Sequence, residues 1–221
     1  MKYGLFGASG KMGKEVISVF AEHNNELVFS FDIQGEWKQS DPVILIDCSL
    51  PEAFEKMIGF AKSFNVPLIV ATTGLTEYNL NQLKKFAERK PVVQSYNFSE
   101  GIQILLELTR MANDKLPDWD VEISETHHRF KKDKPSGTAK MIQNIFGDRE
   151  INTTSHRLGN VTGDHTVSFA GLGEVISIQH RALSRRTFAE GILKSAEFAL
   201  NKENGFYSFT HVVFENKSME H

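Results

Sequence analysis

The stretch Lys2-Tyr3-Gly4-Leu5-Phe6-Gly7-Ala8-Ser9-Gly10-Lys11-Met12-Gly13 decides how the first half of the chain is read. A short apolar strand runs straight into three glycines spaced Gly-x-x-Gly-x-x-Gly. Val16, Ile17, Val19 and Phe20 then recur at the spacing of a helix with one apolar face. Strand, glycine turn and helix, in that order, are the context a dinucleotide cradle requires. Gly7 is expected to make the tight turn and Gly10 to let main chain approach a pyrophosphate. Gly13 is expected to let the helix lie close to the sheet. Ala8, Ser9, Lys11 and Met12 complete the loop, with the N–H groups of the first helical turn facing the phosphates.

Further strands extend the pattern. Leu27-Val28-Phe29-Ser30-Phe31 ends at Asp32, where a carboxylate is placed to bind adenosine ribose hydroxyls. Asp32 favours NADH, because it repels a 2′-phosphate, while Lys11 and Lys14 offer positive charge to NADPH; both cofactors are expected to be used. The run Val43 to Ser49 is apolar throughout, as in a strand covered on both faces, and a helical stretch follows Pro51-Glu52 to about Ser63. Leu68-Ile69-Val70 leads to Ala71, Thr72, Thr73 and Gly74. Ligands bind at the carboxyl ends of strands in an open α/β sheet, so Ala71, Thr72 and Thr73 are expected to line the nicotinamide half. Val92-Val93-Gln94 then leads to Ser95-Tyr96-Asn97-Phe98-Ser99. This half reads as a Rossmann-like parallel sheet.

A helical pattern from Gly101 ends near Leu116-Pro117, and Asp120-Val121-Glu122-Ile123-Ser124 alternates as a half-exposed strand. That strand delivers Glu125-Thr126-His127-His128-Arg129-Phe130-Lys131-Lys132-Asp133-Lys134-Pro135-Ser136-Gly137-Thr138-Ala139. A histidine exchanges a proton near neutral pH, and Lys131 carries a compact charge on a flexible stem. Ser136-Gly137-Thr138 opens a helix running to about Phe146 and offers main-chain N–H groups and hydroxyls to an anion. Together these residues describe a pocket for a carboxylate-bearing substrate that needs a proton delivered.

The Glu125–Ala139 segment resembles the signature of the 4-hydroxy-tetrahydrodipicolinate reductase (dihydrodipicolinate reductase) family, Glu-x-His-His-x-x-Lys-x-Asp-x-Pro-Ser-Gly-Thr-Ala, at every fixed position. Ala71-Thr72-Thr73-Gly74 resembles the family's Gly-Thr-Thr-Gly, and Asn97-Phe98-Ser99 resembles the segment linking its two domains, with Tyr96 replacing a small residue. Later stretches (Arg157-Leu158-Gly159, Gly163-Asp164-His165-Thr166 and Ser184 to Phe188) resemble the family's closing strands. The resemblance implies an NAD(P)H-dependent reductase of a cyclic dicarboxylate in diaminopimelate and lysine synthesis. It implies His127 as general acid, with Lys131 supporting developing charge, clamping a carboxylate or donating the proton. Ser136, Gly137 and Thr138 would hold a carboxylate near His128. Ser95, Tyr96, Asn97 and Phe98 would join the cofactor contacts. It also implies a homotetramer assembled through the second domain. The segment from Asp32 to Val43 is shorter than in those relatives.

The expected architecture is α/β: a dinucleotide-binding domain at 1–99, completed by about 190–221, and a smaller α+β domain with a mixed sheet at 100–189 for substrate and oligomerisation. Of 221 residues, 40% are hydrophobic and 24% charged, with a net charge of −3, so no basic footprint for nucleic acid exists. No apolar stretch approaches a membrane span, and the chain starts directly on a strand, pointing to a cytoplasmic protein. Cys48 is the single cysteine, expected to be a buried thiol. No Cys/His/carboxylate spacing suits zinc, and no metal is expected. His156, His165 and His180 are read as packed or interface residues on strands. Two rivals are a different Rossmann oxidoreductase, such as an amino-acid or sugar dehydrogenase, and an NAD(H)-sensing binding protein. Loss of His127 and Lys131 would favour the second rival, and both are present.

Overall fold

Strands covered on both faces cannot alternate apolar with polar, and that is why the first half of the chain reads as apolar runs. In the computed structural model, the described residues are 1–215. They fall into two compact units: Met1–Phe98 with the chain from Arg186 onward, and Ser99–Arg185. Residues 216–221 of the expected C-terminal completion lie outside the described residues.

The first unit begins β1 (Lys2–Phe6), α1 (Lys11–Glu22), β2 (Glu26–Asp32), β3 (Gly35–Lys38), β4 (Ile44–Asp47), α2 (Phe54–Phe64), β5 (Leu68–Val70), α3 (Glu77–Ala87) and β6 (Val92–Gln94). The second unit contains α4 (Glu100–Lys115), β7 (Asp120–His127), α5 (Gly137–Gln143), β8 (Asn152–Arg157), β9 (Asp164–Ala170) and β10 (Val175–Arg181). The chain then returns to the first unit with α6 (Arg186–Leu200), β11 (Phe206–Tyr207) and α7 (Phe209–Phe214).

Sheet order in the first unit is β11-β6-β5-β4-β1-β2-β3, parallel except for β3. Alternate residues of each strand feed two different cores. Tyr3, Leu5, Ile44 and Ile46 pack with Val16, Val19 and Phe20 of α1 and Ile192 and Ala196 of α6. Phe6 and Leu45 face the other way, onto Phe54, Met57 and Ile58 of α2 and Leu83 and Phe86 of α3. The exposed hairpin strand β3, paired Asp32↔Gly35 through Phe29↔Lys38, is absent from the sequence reading. All four of its residues are exposed, so no buried periodicity marks it. Val43, expected inside the fourth strand, lies just before it and is exposed.

The second unit is a mixed sheet, β10-β9-β7-β8, with β7 and β8 parallel and the other pairs antiparallel. One face is covered by Ile102, Leu105 and Leu106 of α4 and Ala139 and Ile142 of α5, which pack on Ile123, Val167 and Phe169. The opposite face carries small hydrogen-bonding side chains: Thr154 donates to Glu122, and the Ser168 and Ser177 hydroxyls meet at 3.0 Å. The result matches the α/β class with a Rossmann-like parallel sheet and a smaller mixed-sheet unit.

Candidate active site

β1 is followed in the sheet by β2 on one side and β4 on the other, so the sheet order reverses at β1. In open α/β sheets, ligands occupy the crevice beyond the carboxyl ends of the strands at such a reversal. Here it holds a cavity of about 580 Å³ whose walls include Gly7, Gly10, Asp32, Ile33, Ser49 and Lys56. Its floor is main chain brought unusually close. Gly7 sits at φ +82°, and a Cβ there would lie 2.6 Å from the Cys48 carbonyl oxygen. A Cβ on Gly13 would lie 2.2 Å from the Gly7 carbonyl oxygen. A side chain at either position would force apart the main chain that shapes this loop, and the close-packed glycine turn ahead of α1 fits a dinucleotide.

Asp32 stands at the rim of that cavity, accepting main-chain N–H groups from Gln34 at 2.8 Å and Ser9 at 3.1 Å. The Gln34 N–H, with that of Ser9, holds its carboxyl below the usual range. It faces the cavity as a fixed anion. Lys56 of α2 stands on the same cavity, its Nζ 4.7 Å from the centre of the Phe31 ring. Lys11 and Lys14 are the cations expected at this end from the sequence, since nothing local ties α2 to Asp32. Lys11 is exposed, while Ala8 and Met12 pack against the α1-side core.

Other expected cofactor residues are used by the fold itself. The Phe98 ring is buried against Phe209 at 5.2 Å, so any contact from this residue to a ligand is left to its main chain. The Ser95 hydroxyl closes its own turn, donating to the Asn97 carbonyl at 2.8 Å and accepting the Asn97 N–H. Ala71 and Thr72 continue from β5 and Thr72 is buried, whereas Thr73 and Tyr96 are exposed. Burial pushes the Cys48 thiol up.

In the second unit, β7 ends in a run whose alternate residues Ile123, Glu125 and His127 are buried on one face. Glu125 lies opposite His165 of β9, and His127 lies opposite Arg157 of β8. This register gathers a polar cluster against the apolar core. His127 Nδ1 and Arg157 both reach the Glu125 carboxylate, Arg157 through Nη1 at 3.0 Å and Nη2 at 2.8 Å. Burial alone would push the Glu125 carboxyl up, but hydrogen bonds from His127, Arg157 and Ser155 outweigh it and hold it far below the usual range. The His165 ring stands edge-on to His127 at 5.1 Å between centres. Burial pushes His165 down to about 3, with the neighbouring His127 charge acting the same way, so it is neutral at physiological pH.

The loop after β7 carries His128, near the Phe130 ring, and Lys131, paired with Asp133 at 2.9 Å. Ser136 is buried at the start of α5. Its hydroxyl accepts the Ala139 N–H as the cap of α5 and lies 3.3 Å from His165 Nε2. Its own N–H donates to Glu125 at 3.3 Å. These contacts hold the turn from which Gly137 and Thr138 continue into α5. Glu125 and Arg157 carry no role in the sequence pattern, and His165, expected to be packed, is buried beside His127. The β7–β8–β9 register brings Arg157 and His165 to His127, whereas Glu125, two residues earlier on β7, shares its face through strand alternation.

A glycine cradle at the reversal of a parallel sheet defines a dinucleotide-binding protein of the Rossmann class, and a buried imidazole–carboxylate pair adds acid–base equipment. Comparison with known proteins narrows the class. The family models described as dihydrodipicolinate reductase, N-terminus, and dihydrodipicolinate reductase, C-terminus, match residues 1–98 and 101–213. A 4-hydroxy-tetrahydrodipicolinate reductase of Thermosipho africanus is 45% identical over 97% of this chain and 99% of its own length. One from Rickettsia rickettsii is 35% identical over 96% of this chain and 98% of its own. The dipicolinate-bound dihydrodipicolinate reductase of Paenisporosarcina shares the fold with a TM-score of 0.76 at 22% identity, covering 94% of this chain and 97% of its own. The chain belongs to the dihydrodipicolinate reductase family, an oxidoreductase family.

Proposed function

We propose that this chain reduces 4-hydroxy-tetrahydrodipicolinate, or the dihydrodipicolinate it yields on losing water, to tetrahydrodipicolinate in diaminopimelate and lysine synthesis. The observation that carries this reading is the 45% identity, end to end, with a relative named for that reaction. Residues 7–13 and Asp32 would hold the dinucleotide, and a reduced nicotinamide bound there supplies the hydride. Asp32 suits the ribose hydroxyls of NADH, and Lys56 on the same cavity suits the 2′-phosphate of NADPH, so both are substrates.

On the second unit, His127 acts as general acid: an electron-poor ring that gains a hydride needs a proton on the neighbouring atom. Lys131 supplies positive charge as that anion develops, with Asp133 as its resting partner. Ser136, Gly137 and Thr138 bind a ring carboxylate, with His128 near it. Ser99–Arg185 is thus the substrate unit, and the open face of its sheet is the surface through which a homotetramer forms in the cytoplasm. No described helix is long and apolar enough to cross a membrane.

The test is dinucleotide oxidation, followed by loss of nicotinamide absorbance, with substrate generated in situ by dihydrodipicolinate synthase. Substrate-dependent oxidation of both dinucleotides supports the reading. Dinucleotide binding with no oxidation would transfer the loop from His127 to Thr138 to another carboxylate.

A further inference from the structure

A lone imidazole has two equivalent places for its single neutral-state proton, and a proton donor works only if the nitrogen facing the substrate is the one that gives it up. In this chain the choice is built in. His127 Nδ1 is turned to the Glu125 carboxylate, whose side chain is wholly buried. Its Nε2 faces Gly163, where a Cβ would lie 3.1 Å away, so the missing side chain keeps that nitrogen uncrowded.

A carboxylate that met only a histidine could take the proton itself and lose its direction. Arg157 prevents this by donating to both oxygens, one from each terminal nitrogen. The same guanidinium donates from Nε to the Lys131 carbonyl at 3.2 Å and from Nη2 to the Asp133 carbonyl. One side chain therefore fixes both the carboxylate behind His127 and the loop that carries Lys131.

The remaining charged and titratable groups around His127 fit this arrangement. From β9, His165 is neutral and places no like charge beside the ring. Ser136 Oγ accepts the Ala139 N–H and lies 3.3 Å from His165 Nε2. From the loop, Lys131 is paired with Asp133. Further along the row, His180 of β10 lies opposite His165 and meets Ser99 Oγ at 3.1 Å, and Asp164 pairs with Arg181.

We propose that Glu125, clamped by Arg157, is the positioning residue for His127: it keeps the proton on Nδ1 and reserves Nε2 for exchange with the substrate. This rests on the reading of His127 as general acid. The carboxylate also stabilises the imidazolium before transfer. After transfer the Nδ1–H tautomer remains, and Nε2 is bare and ready to be reprotonated.

Two measurements test it. Long-range proton–nitrogen NMR on histidine-labelled protein, assigned by the signal missing in His127→Gln, reads the tautomer directly. Nδ1–H is expected, and a neutral His127 carrying its proton on Nε2 overturns the proposal without reference to activity. The second is kcat against pH for Glu125→Gln, Glu125→Asp and Arg157→Lys. Loss of the carboxylate charge destabilises the imidazolium, so the alkaline limb of Glu125→Gln is expected about one pH unit lower, with kcat down roughly a hundredfold. Dinucleotide affinity is expected to be unchanged, with partial rescue in Glu125→Asp. If Glu125→Gln does not fold, Glu125→Asp and Arg157→Lys carry the same prediction at smaller amplitude. An unmoved pH profile in the folded variants, with His127→Gln inactive, sinks the proposal and leaves the general acid standing. Full activity in His127→Gln sinks the general acid itself.

Discussion

The glycine loop of the first unit and the His127 cluster of the second are both polar sites set against apolar cores, and they are built in opposite ways. The loop works by leaving side chains out. Gly7 and Gly13 let main-chain atoms approach to distances that no Cβ tolerates. The cluster works by bringing side chains in. Glu125, His127 and Arg157 are desolvated together, and each satisfies another that would be costly alone. A site of the first kind tolerates changes in its neighbours but no added atom. A site of the second kind is a set whose members fail together.

The contrast can be broken or sharpened by experiment. The largest effect is expected at the cluster: His127→Gln should lower turnover by about 10²–10⁴ while the dissociation constants of NADH and NADPH stay at wild-type values. A parallel loss of dinucleotide affinity would make His127 structural and erase the distinction. Next, Gly13→Ala should destabilise the fold by about 1–3 kcal/mol and weaken both dinucleotides together, since the added methyl meets the Gly7 carbonyl. Denaturant unfolding with dinucleotide titration checks this, and wild-type values in both would mean the loop yields freely.

A third prediction concerns pH. Unfolded, a histidine takes up its proton near 6.5, but folded His165 does so only near 3. The unfolded chain binds more protons across that window, so stability falls as pH drops through it, by up to about 1.4 kcal/mol per pH unit. His180 is depressed in the same direction by burial. Glu125 works lower: its folded value is depressed from 4.5, so its contribution is lost only as pH falls below that. Between pH 6.5 and about 5.5 the histidines set this slope, opposed by Asp47, whose carboxyl burial pushes up, and His165→Gln should flatten the urea midpoints there. An equally steep slope in that variant would place its proton elsewhere. The smallest effect is expected at Lys56: Lys56→Ala should weaken NADPH relative to NADH by about threefold to fivefold in a binding titration, as befits a cation open to solvent. Equal weakening of both would assign Lys56 to packing on Phe31.

How much of this was legible in the sequence differs between the two sites for the same reason that they differ in construction. The loop from Gly7 to Gly13 is contiguous, and its chemistry is a local matter of turn, N–H groups and absent Cβ atoms. The apolar runs at 44–47 and 68–70 announced a sheet covered on both faces. The Glu125–Ala139 segment was equally visible as a string of residues. Its internal wiring was not, and Ser136, read as a carboxylate ligand, is engaged by Glu125, Ala139 and His165. Phe98 stood within a segment read as cofactor-binding, yet its ring belongs to the core. The strand β3 left no trace because nothing on it is buried.

By itself, then, the sequence determined the α/β class, the glycine cradle, the apolar strands of the parallel sheet and the motif that holds His127 and Lys131. Each of these depends on residues within one element or one turn, where spacing fixes geometry. Tertiary structure alone decided that Arg157 would clamp Glu125, that His165 would lie beside His127 and be neutral, and that Lys56 would share a cavity with Asp32. Those pairings are set by strand register and helix packing across long stretches of chain, and burial then fixes the charge each group carries.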